Sequence, residues 1–210
     1  MIKILIADDH TVVREGLKLI ISETPDMTIA DEAVDGHEVL NKALKADYDI
    51  VVLDITMPGI NGLDVLKQLK AQKPKLPILV LSMHPEEQYA VRVIKAGAAG
   101  YLTKQSASEE LVKAIRTASA GRKYITPSLG EKLADSLGID AEQLPHELLS
   151  DREYQVMCMI ASGKRVAEIA ENLYLSENTI RTHRSRILEK MKMKTNNEII
   201  SYALQHQLLD

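Results

Sequence analysis

The chain has 210 residues, 45% hydrophobic and 27% charged, with a formal net charge of −4, a length that suits one large domain or two small ones. No apolar run approaches the roughly 18–20 residues of a membrane span, and the opening MIKILIADDH has neither the basic head nor the small-residue cleavage site of a secretion signal. One cysteine, Cys158, excludes an intrachain disulfide, and together these features favour the cytoplasm.

The first 120 residues alternate short apolar runs with longer amphipathic ones. Strands are predicted over Ile2–Ala7, Thr28–Ala33, Ile50–Asp54, Pro77–Ser82 and Ala99–Thr103. Helices are predicted over Val12–Ser22, Gly36–Ala46, Gly62–Gln72, Glu86–Ala96 and Ser108–Ala120. Five βα units in succession imply one parallel sheet with helices on both faces. The first, third and fourth strands are nearly pure Val, Ile and Leu, as strands covered on both faces require.

Residues 121–148 read as a linker, punctuated by Gly121, Pro127, Gly130, Gly138 and Pro145, with a short helix expected around Leu129–Ser136. From 149 to 210 only helical periodicity remains, giving helices at Asp151–Ala161, Val166–Leu173, Glu177–Lys192 and Asn196–Gln207. Charge is uneven. Residues 1–120 are net acidic, whereas 176–194 hold six basic groups against two acidic ones. The contrast suggests two separate jobs.

In a doubly wound sheet, ligands bind outside the carboxyl ends of the strands. Here the first strand ends in Asp8-Asp9, the third in Asp54, the fourth in Ser82, and the fifth runs into Lys104. Three carboxylates on one edge repel one another, and a cation relieves that repulsion. All-oxygen ligation suits Mg²⁺. Asp54 would be a nucleophile toward a phosphoryl group, Lys104 would pair with a phosphoryl oxygen, and Ser82 would hydrogen-bond another.

DDH at 8–10, LDITMPGINGLD at 53–64, LSM at 81–83 and YLTK at 101–104 resemble the receiver domain of bacterial two-component response regulators, in order along the whole front half. The resemblance implies a flavodoxin-like fold and phosphorylation of Asp54 by a sensor histidine kinase. It implies Mg²⁺ held by Asp9, Asp54 and the Thr56 carbonyl, with Asp8 acting through water. It also implies a switch in which the Ser82 hydroxyl moves to the phosphoryl group and the Tyr101 ring follows inward. One departure stands out: Gln105 follows Lys104 where many receivers have Pro, so the turn after the fifth strand is expected to be built differently.

In the tail, Ser176 is a good N-cap for the helix that follows, and Glu177 complements its dipole. Ile180, Ile187, Leu188 and Met191 fall on one stripe of that helix. The opposite face carries Asn178, Thr182, Ser185 and Glu189, flanked by Arg181 and Arg186, while Arg184 lies near the edge of the apolar stripe and is expected to snorkel outward. Such a face at the second helix of a pair suits the major groove of double-stranded promoter DNA, with Thr179 and Arg186 added to the contact set. Lys164, Arg165, Lys190, Lys192 and Lys194 would add phosphate contacts. LSDREYQVMCMIASGK and EIAENLYLSENTIRTHRSRILEKM resemble the LuxR-type DNA-binding domain, and its pairing with a receiver is the arrangement of NarL/FixJ-class regulators. By position, that resemblance points to Arg181, Thr182 and Ser185 as base readers. It also implies a homodimer upon phosphorylation, with Ile199, Ile200, Ala203 and Leu204 carrying a dimer contact.

Cys158 sits in the apolar run YQVMCMI and reads as core. The six histidines lack metal-ligand spacing; His10 is assigned no chemistry, and His183 is expected to hydrogen-bond within the fold. The fold class expected is thus an α/β doubly wound, five-stranded parallel sheet (1–120) followed by an all-α helix-turn-helix domain (149–210). The function expected is a phosphorylation-switched transcription factor rather than an enzyme. A haloacid-dehalogenase-type phosphatase would need an aspartate where Thr56 stands. A ligand-gated LuxR-type regulator would need an apolar cavity that tight βα repeats without Phe or Trp do not suggest. A receiver fold controlled without phosphorylation would not need the intact acidic set.

Overall fold

The computed structural model describes residues 1–84, 86–135, 144–206 and 208–209. They form two compact units, Met1–Gly130 and Glu131–Asp210. The first alternates β1 (Ile2–Ala7), α1 (Thr11–Ser22), β2 (Met27–Ala33), α2 (Gly36–Lys45), β3 (Ile50–Asp54), α3 (Gly62–Gln72), β4 (Ile78–Ser82), α4 (Glu86–Lys95), β5 (Gly100–Thr103) and α5 (Ala107–Ser119). The strands make one sheet in the order β2-β1-β3-β4-β5, every neighbouring pair parallel. This is the doubly wound sheet expected, with element ends shifted by about two residues at most.

The apolar strands fill the middle of the sheet because only there are both faces covered. Ile4 and Leu5 of β1, Ile50 and Val51 of β3, and Ile78 and Leu79 of β4 are all 0% exposed. Register then decides where the polar tips fall. Ala7 pairs with Leu53, Asp54 with Leu81, and Ser82 with Thr103. The carboxyl ends of β1, β3, β4 and β5 therefore meet along one edge.

The stretch read as linker begins by packing on the sheet. Tyr124 forms a parallel bridge with Gly100, and its N–H donates to the Ala99 carbonyl at 2.7 Å. The Tyr124 ring joins the core with Leu111 and Ile115. α6 (Pro127–Asp135) follows, with Leu129 buried and the Thr126 hydroxyl donating to the Glu86 carboxylate at the start of α4. An open sheet edge is a liability, and this segment covers the start of the free edge of β5 at Gly100. The end of the predicted short helix at Ser136, and that of the last predicted helix at Gln207, lie outside the described residues.

The second unit has a 3₁₀ turn (Pro145–Leu148), then α7 (Asp151–Ala161), α8 (Val166–Asn172), α9 (Glu177–Lys190) and α10 (Asn196–Gln205). α7 opens on a reciprocal cap: Ser150 Oγ accepts from the Glu153 N–H, and the Glu153 carboxylate accepts from the Ser150 N–H at 2.8 Å. It runs through the middle of the unit, with Tyr154 to Ala161 buried throughout, Cys158 included as core. Tyr174 at φ 55 turns the chain between α8 and α9, and Ser176 caps α9 by accepting from Thr179 N–H at 3.1 Å. α9 stops two residues before its predicted end because Lys192 adopts φ 55, a left-handed conformation that ends a helix. No helix among the described residues is long and apolar enough to cross a membrane.

Candidate functional site

The edge where the strands end holds a buried charge cluster. Asp8 and Asp54 are almost fully buried, and the Lys104 ammonium lies 2.7 Å from Oδ2 of each. Asp54 Oδ1 accepts the Thr56 N–H at 3.1 Å. The Asp9 carboxylate lies at the rim, with 10% of its side chain exposed. Asp8, Asp9 and Asp54, together with His10, offer ligand atoms that all lie within 4.8 Å of one another. The sequence pattern assigns His10 no chemistry; nothing in its spacing signals that its ring turns back over the carboxylates.

Burial pushes the Asp54 carboxyl up from 3.8 to about 6; Lys104 pulls against that shift and Asp8 adds to it. Burial also works against the charged form of Lys104, but Asp54 and Asp8 outweigh it and hold its pKa above the ordinary value. The pocket thus concentrates negative charge around one ammonium.

Ser82 and Tyr101 meet on the backbone of His84. Ser82 Oγ accepts the His84 N–H at 3.1 Å, and the Tyr101 hydroxyl donates to the His84 carbonyl at 2.7 Å. The Tyr101 ring, expected to move inward on phosphorylation, is already buried in this structure. A buried tyrosine hydroxyl needs a partner, and this carbonyl supplies one. The turn after Lys104, where Gln105 replaces the family's Pro, is closed by hydroxyls: Thr103 Oγ1 accepts the Ser106 N–H and lies 3.1 Å from Ser106 Oγ.

On α9 the sequence-predicted contacts divide. Asn178, Arg181, Thr182, Ser185 and Arg186 are exposed, as is Lys164 ahead of α8. Arg181 is held along the helix by Glu177 at 2.7 Å and Asn178 at 3.4 Å. Thr179 is half-buried and spends its hydroxyl on the cap, 2.8 Å from Ser176 Oγ.

Two expected contacts are held by partners within the domain, Arg184 half-buried and Lys190 exposed. Arg184 does not snorkel out; its Nε donates to Asn196 Oδ1 at 2.7 Å, at the start of α10. Lys190 pairs with the buried Glu153 at 2.6 Å. His183 is half-buried beneath the face, and its Nδ1 has no hydrogen-bond partner among the described residues. Burial, followed by the Arg152 charge, holds its pKa below the usual value. Of the four α10 residues expected at a dimer contact, Ile199 and Ala203 are core, Ile200 is half-buried, and Leu204 is 61% exposed.

The Glu153–Lys190 pair yields a stability prediction. Burial opposes the Glu153 charge, but Lys190 and the Ser150 N–H outweigh it and hold the carboxyl below 4.5. A depressed carboxylate stabilises the fold fully above its unfolded value and loses that contribution as pH falls through the folded one. Solvent screens the 41% exposed Lys190, so Lys190→Ala should cost about 0.5–1 kcal/mol at neutral pH, and the difference from wild type should shrink as pH falls below 4.5. Chemical denaturation of the full chain at two pH values measures both.

A family model described as the response regulator receiver domain matches residues 4–116, and one described as bacterial regulatory proteins, luxR family, matches residues 147–203. The oxygen regulatory protein NreC of Staphylococcus carnosus is 37% identical, covering 99% of this chain and 99% of its own. The response regulator GacA of Pseudomonas syringae is 35% identical, covering 100% of this chain and 99% of its own. Among solved structures, Salmonella enterica RcsB bound to promoter P1flhDC with a beryllofluoride phosphomimetic matches at TM-score 0.66 and 26% identity, covering 96% of this chain and 97% of that one. The response regulator ChrA of a heme-sensing two-component system matches at TM-score 0.54 and 31% identity, covering 99% of this chain and 98% of its own.

Proposed function

This chain belongs to the NarL/FixJ class of two-component response regulators, a receiver followed by a LuxR-type DNA-binding domain, and we propose that Asp54 is its phosphoacceptor and phosphorylation its control. The protein is a DNA-binding transcriptional response regulator. The observation that carries the phosphoacceptor reading is the Lys104 ammonium bridging Asp8 and Asp54 at 2.7 Å each, with Asp54 at the tip of a rigid strand.

An oxygen of Asp54 attacks the phosphorus of a sensor kinase's phosphohistidine; the new P–O bond forms as the P–N bond breaks. Lys104 already sits where it can exchange a carboxylate oxygen for a phosphoryl oxygen. Ser82 Oγ lies at the next strand tip, to hydrogen-bond another phosphoryl oxygen. Its move would release the His84 N–H, and Tyr101, bound to the His84 carbonyl, would register the change at the α4–β5–α5 face. The clustered oxygen donors fit a hard divalent cation. Asp8, Asp9, Asp54 and the Thr56 carbonyl would hold Mg²⁺, which when bound supplies charge that offsets an incoming phosphoryl group.

A ligating carboxylate must be deprotonated. With Asp54 at about 6, Mg²⁺ affinity should therefore fall as pH drops through about 6 and level off above it. Isothermal titration of the full chain from pH 5 to 8 measures this; a flat profile would remove Asp54 from the ligand set.

On the DNA side, we assign base reading to Arg181, Thr182 and Ser185, with Asn178, Arg186 and Lys164 nearby on the exposed face. Arg184 and Lys190 are each tied to a partner within the domain, Asn196 and Glu153. Arg181→Ala should weaken binding to a preferred duplex by about 1–3 kcal/mol and relax specificity at one base position. Lys164→Ala should weaken binding evenly across sequences and lower the salt slope by about 1. A homodimer formed on phosphorylation would use the exposed Leu204 and half-buried Ile200, not Ile199 or Ala203.

The direct test is incubation with acetyl phosphate and Mg²⁺, followed by intact mass. A single phosphoryl adduct that maps to Asp54 supports the reading. An adduct that persists in Asp54→Asn overturns it.

A further inference from the structure

We propose that His10 is a nitrogen ligand to the divalent cation of this pocket and tilts its preference from Mg²⁺ toward first-row transition ions, for which Mn²⁺ is the probe. The inference rests on the reading of the acidic cluster as a cation site and adds to it a residue of different chemistry.

The geometry is that of one coordination shell. His10 Nδ1 lies 2.7 Å from Asp9 Oδ1 and 3.3 Å from Asp8 Oδ1. Neighbouring ligands of an octahedral ion with bonds of about 2.1 Å are roughly 3 Å apart. The imidazole nitrogen already keeps that spacing from two carboxylate oxygens. All four donors also fall within 4.8 Å of one another, close to the span across such a shell.

The ring is held in this place by its own hydrogen bond to Asp8 Oδ1, its pairing with Asp9 Oδ1 and the backbone, not by any duty to the helix; a cation would take the place of the Nδ1 proton. His10 is the N-cap of α1, a position where Ser, Thr, Asp or Asn usually supplies a side-chain cap. Its side chain makes no such bond. Its own N–H donates instead to Asp8 Oδ1 at 2.8 Å, which fixes the Cα next to the carboxylates. The side chain is 59% exposed, so the ring can adjust to an ion without opening the core. Lys104 occupies the other oxygens, Oδ2 of Asp8 and Asp54, on the inner side. The open side of the pocket is therefore the one that His10 overlooks.

Ligand type sets the consequence. Mg²⁺ takes oxygen donors and keeps several waters, so an imidazole adds little to it. First-row transition ions accept a nitrogen donor more readily than Mg²⁺ does, so an imidazole in the shell raises their affinity relative to Mg²⁺, least of all for Mn²⁺ at the weak end of the series.

The test uses the full-length protein and the metals alone, with no phosphoryl donor. Mn²⁺ and Mg²⁺ are titrated into wild type, His10→Ala, His10→Gln and Asp9→Asn, and bound Mn²⁺ is examined by pulsed electron paramagnetic resonance. We expect nitrogen hyperfine coupling in wild type that disappears in both His10 variants. We expect Mn²⁺ affinity to fall by about tenfold or more in those variants, with Mg²⁺ affinity almost unchanged. Bound Mn²⁺ without nitrogen coupling in wild type would overturn the proposal. Equal weakening of both ions would overturn it too, leaving His10 a positioning residue for Asp9. Unaltered binding of both ions in Asp9→Asn would instead refute the cation-site reading beneath it.

Discussion

Asp54→Asn should abolish the phosphoryl adduct and at the same time stabilise the metal-free receiver. The first effect follows from chemistry: an amide in place of the carboxylate gives no acyl-phosphate nucleophile, so labelling should fall to background. The second follows from burial. A buried carboxyl whose folded pKa is raised from 3.8 to about 6 makes the folded state bind its proton more tightly than the unfolded state does. Stability from this group is then greatest below pH 3.8, declines as pH rises through about 6, and stays low above it. Asparagine has no charge to bury, so the variant should be more stable than wild type by about 1–3 kcal/mol at pH 7–8 without Mg²⁺. Below about pH 4 the gain should vanish. Thermal unfolding at pH 4 and 7.5 reads the second effect, and a variant less stable than wild type at pH 7.5 would refute it.

Gly62→Ala should damage fold and site together. A Cβ at Gly62 would lie 2.1 Å from the Asp54 carbonyl oxygen and 2.8 Å from Ile55 Cα, both backbone atoms that cannot swing aside. Gly62 is the first residue of α3, and its N–H donates to the Ile55 carbonyl at 3.0 Å. Relief therefore requires α3 to slide away from the end of β3, at a cost of about 3 kcal/mol or more. The same displacement moves Asp54, so beryllofluoride binding should weaken as well. Gly16→Ala is the matched control. Gly16 lies inside α1, and a Cβ added there would meet nothing within 4 Å. The substitution should raise stability by about 0.5–1 kcal/mol. Melting temperatures of the two variants should move in opposite directions.

Much of this was legible in the sequence, because both sides of the sheet impose one pattern. Runs such as Val51-Val52-Leu53 had to be covered strands, and a charge at the end of each had to fall on the carboxyl edge. Asp8, Asp54 and Lys104 meet there as expected. Side-chain direction was harder to read. Arg184 lies four residues after Ile180 and three before Ile187, so helical spacing puts it on the buried stripe, and Asn196 completes its hydrogen bond. Its charge alone suggested DNA. Lys190 is likewise claimed by Glu153, the partner in a cap thirty-seven residues away that no local pattern signals. Tyr124 sits among Gly, Arg and Lys in a stretch that composition marks as linker, yet it closes the β5 edge. That pairing depends on where α5 returns the chain, which is a tertiary matter. The sequence assigns His10 no chemistry for the same reason: its ring position is set by the turn out of β1.

The central claim is that phosphorylation of Asp54 governs DNA binding. The most direct measurement takes a duplex enriched from a random-sequence pool and follows its binding to the full chain by fluorescence anisotropy, with and without Mg²⁺ and beryllofluoride. Wild type should tighten by about tenfold or more on adding beryllofluoride, and Asp54→Asn should not respond. Equal tightening in Asp54→Asn, or none in wild type that demonstrably carries the adduct, would contradict phosphorylation control.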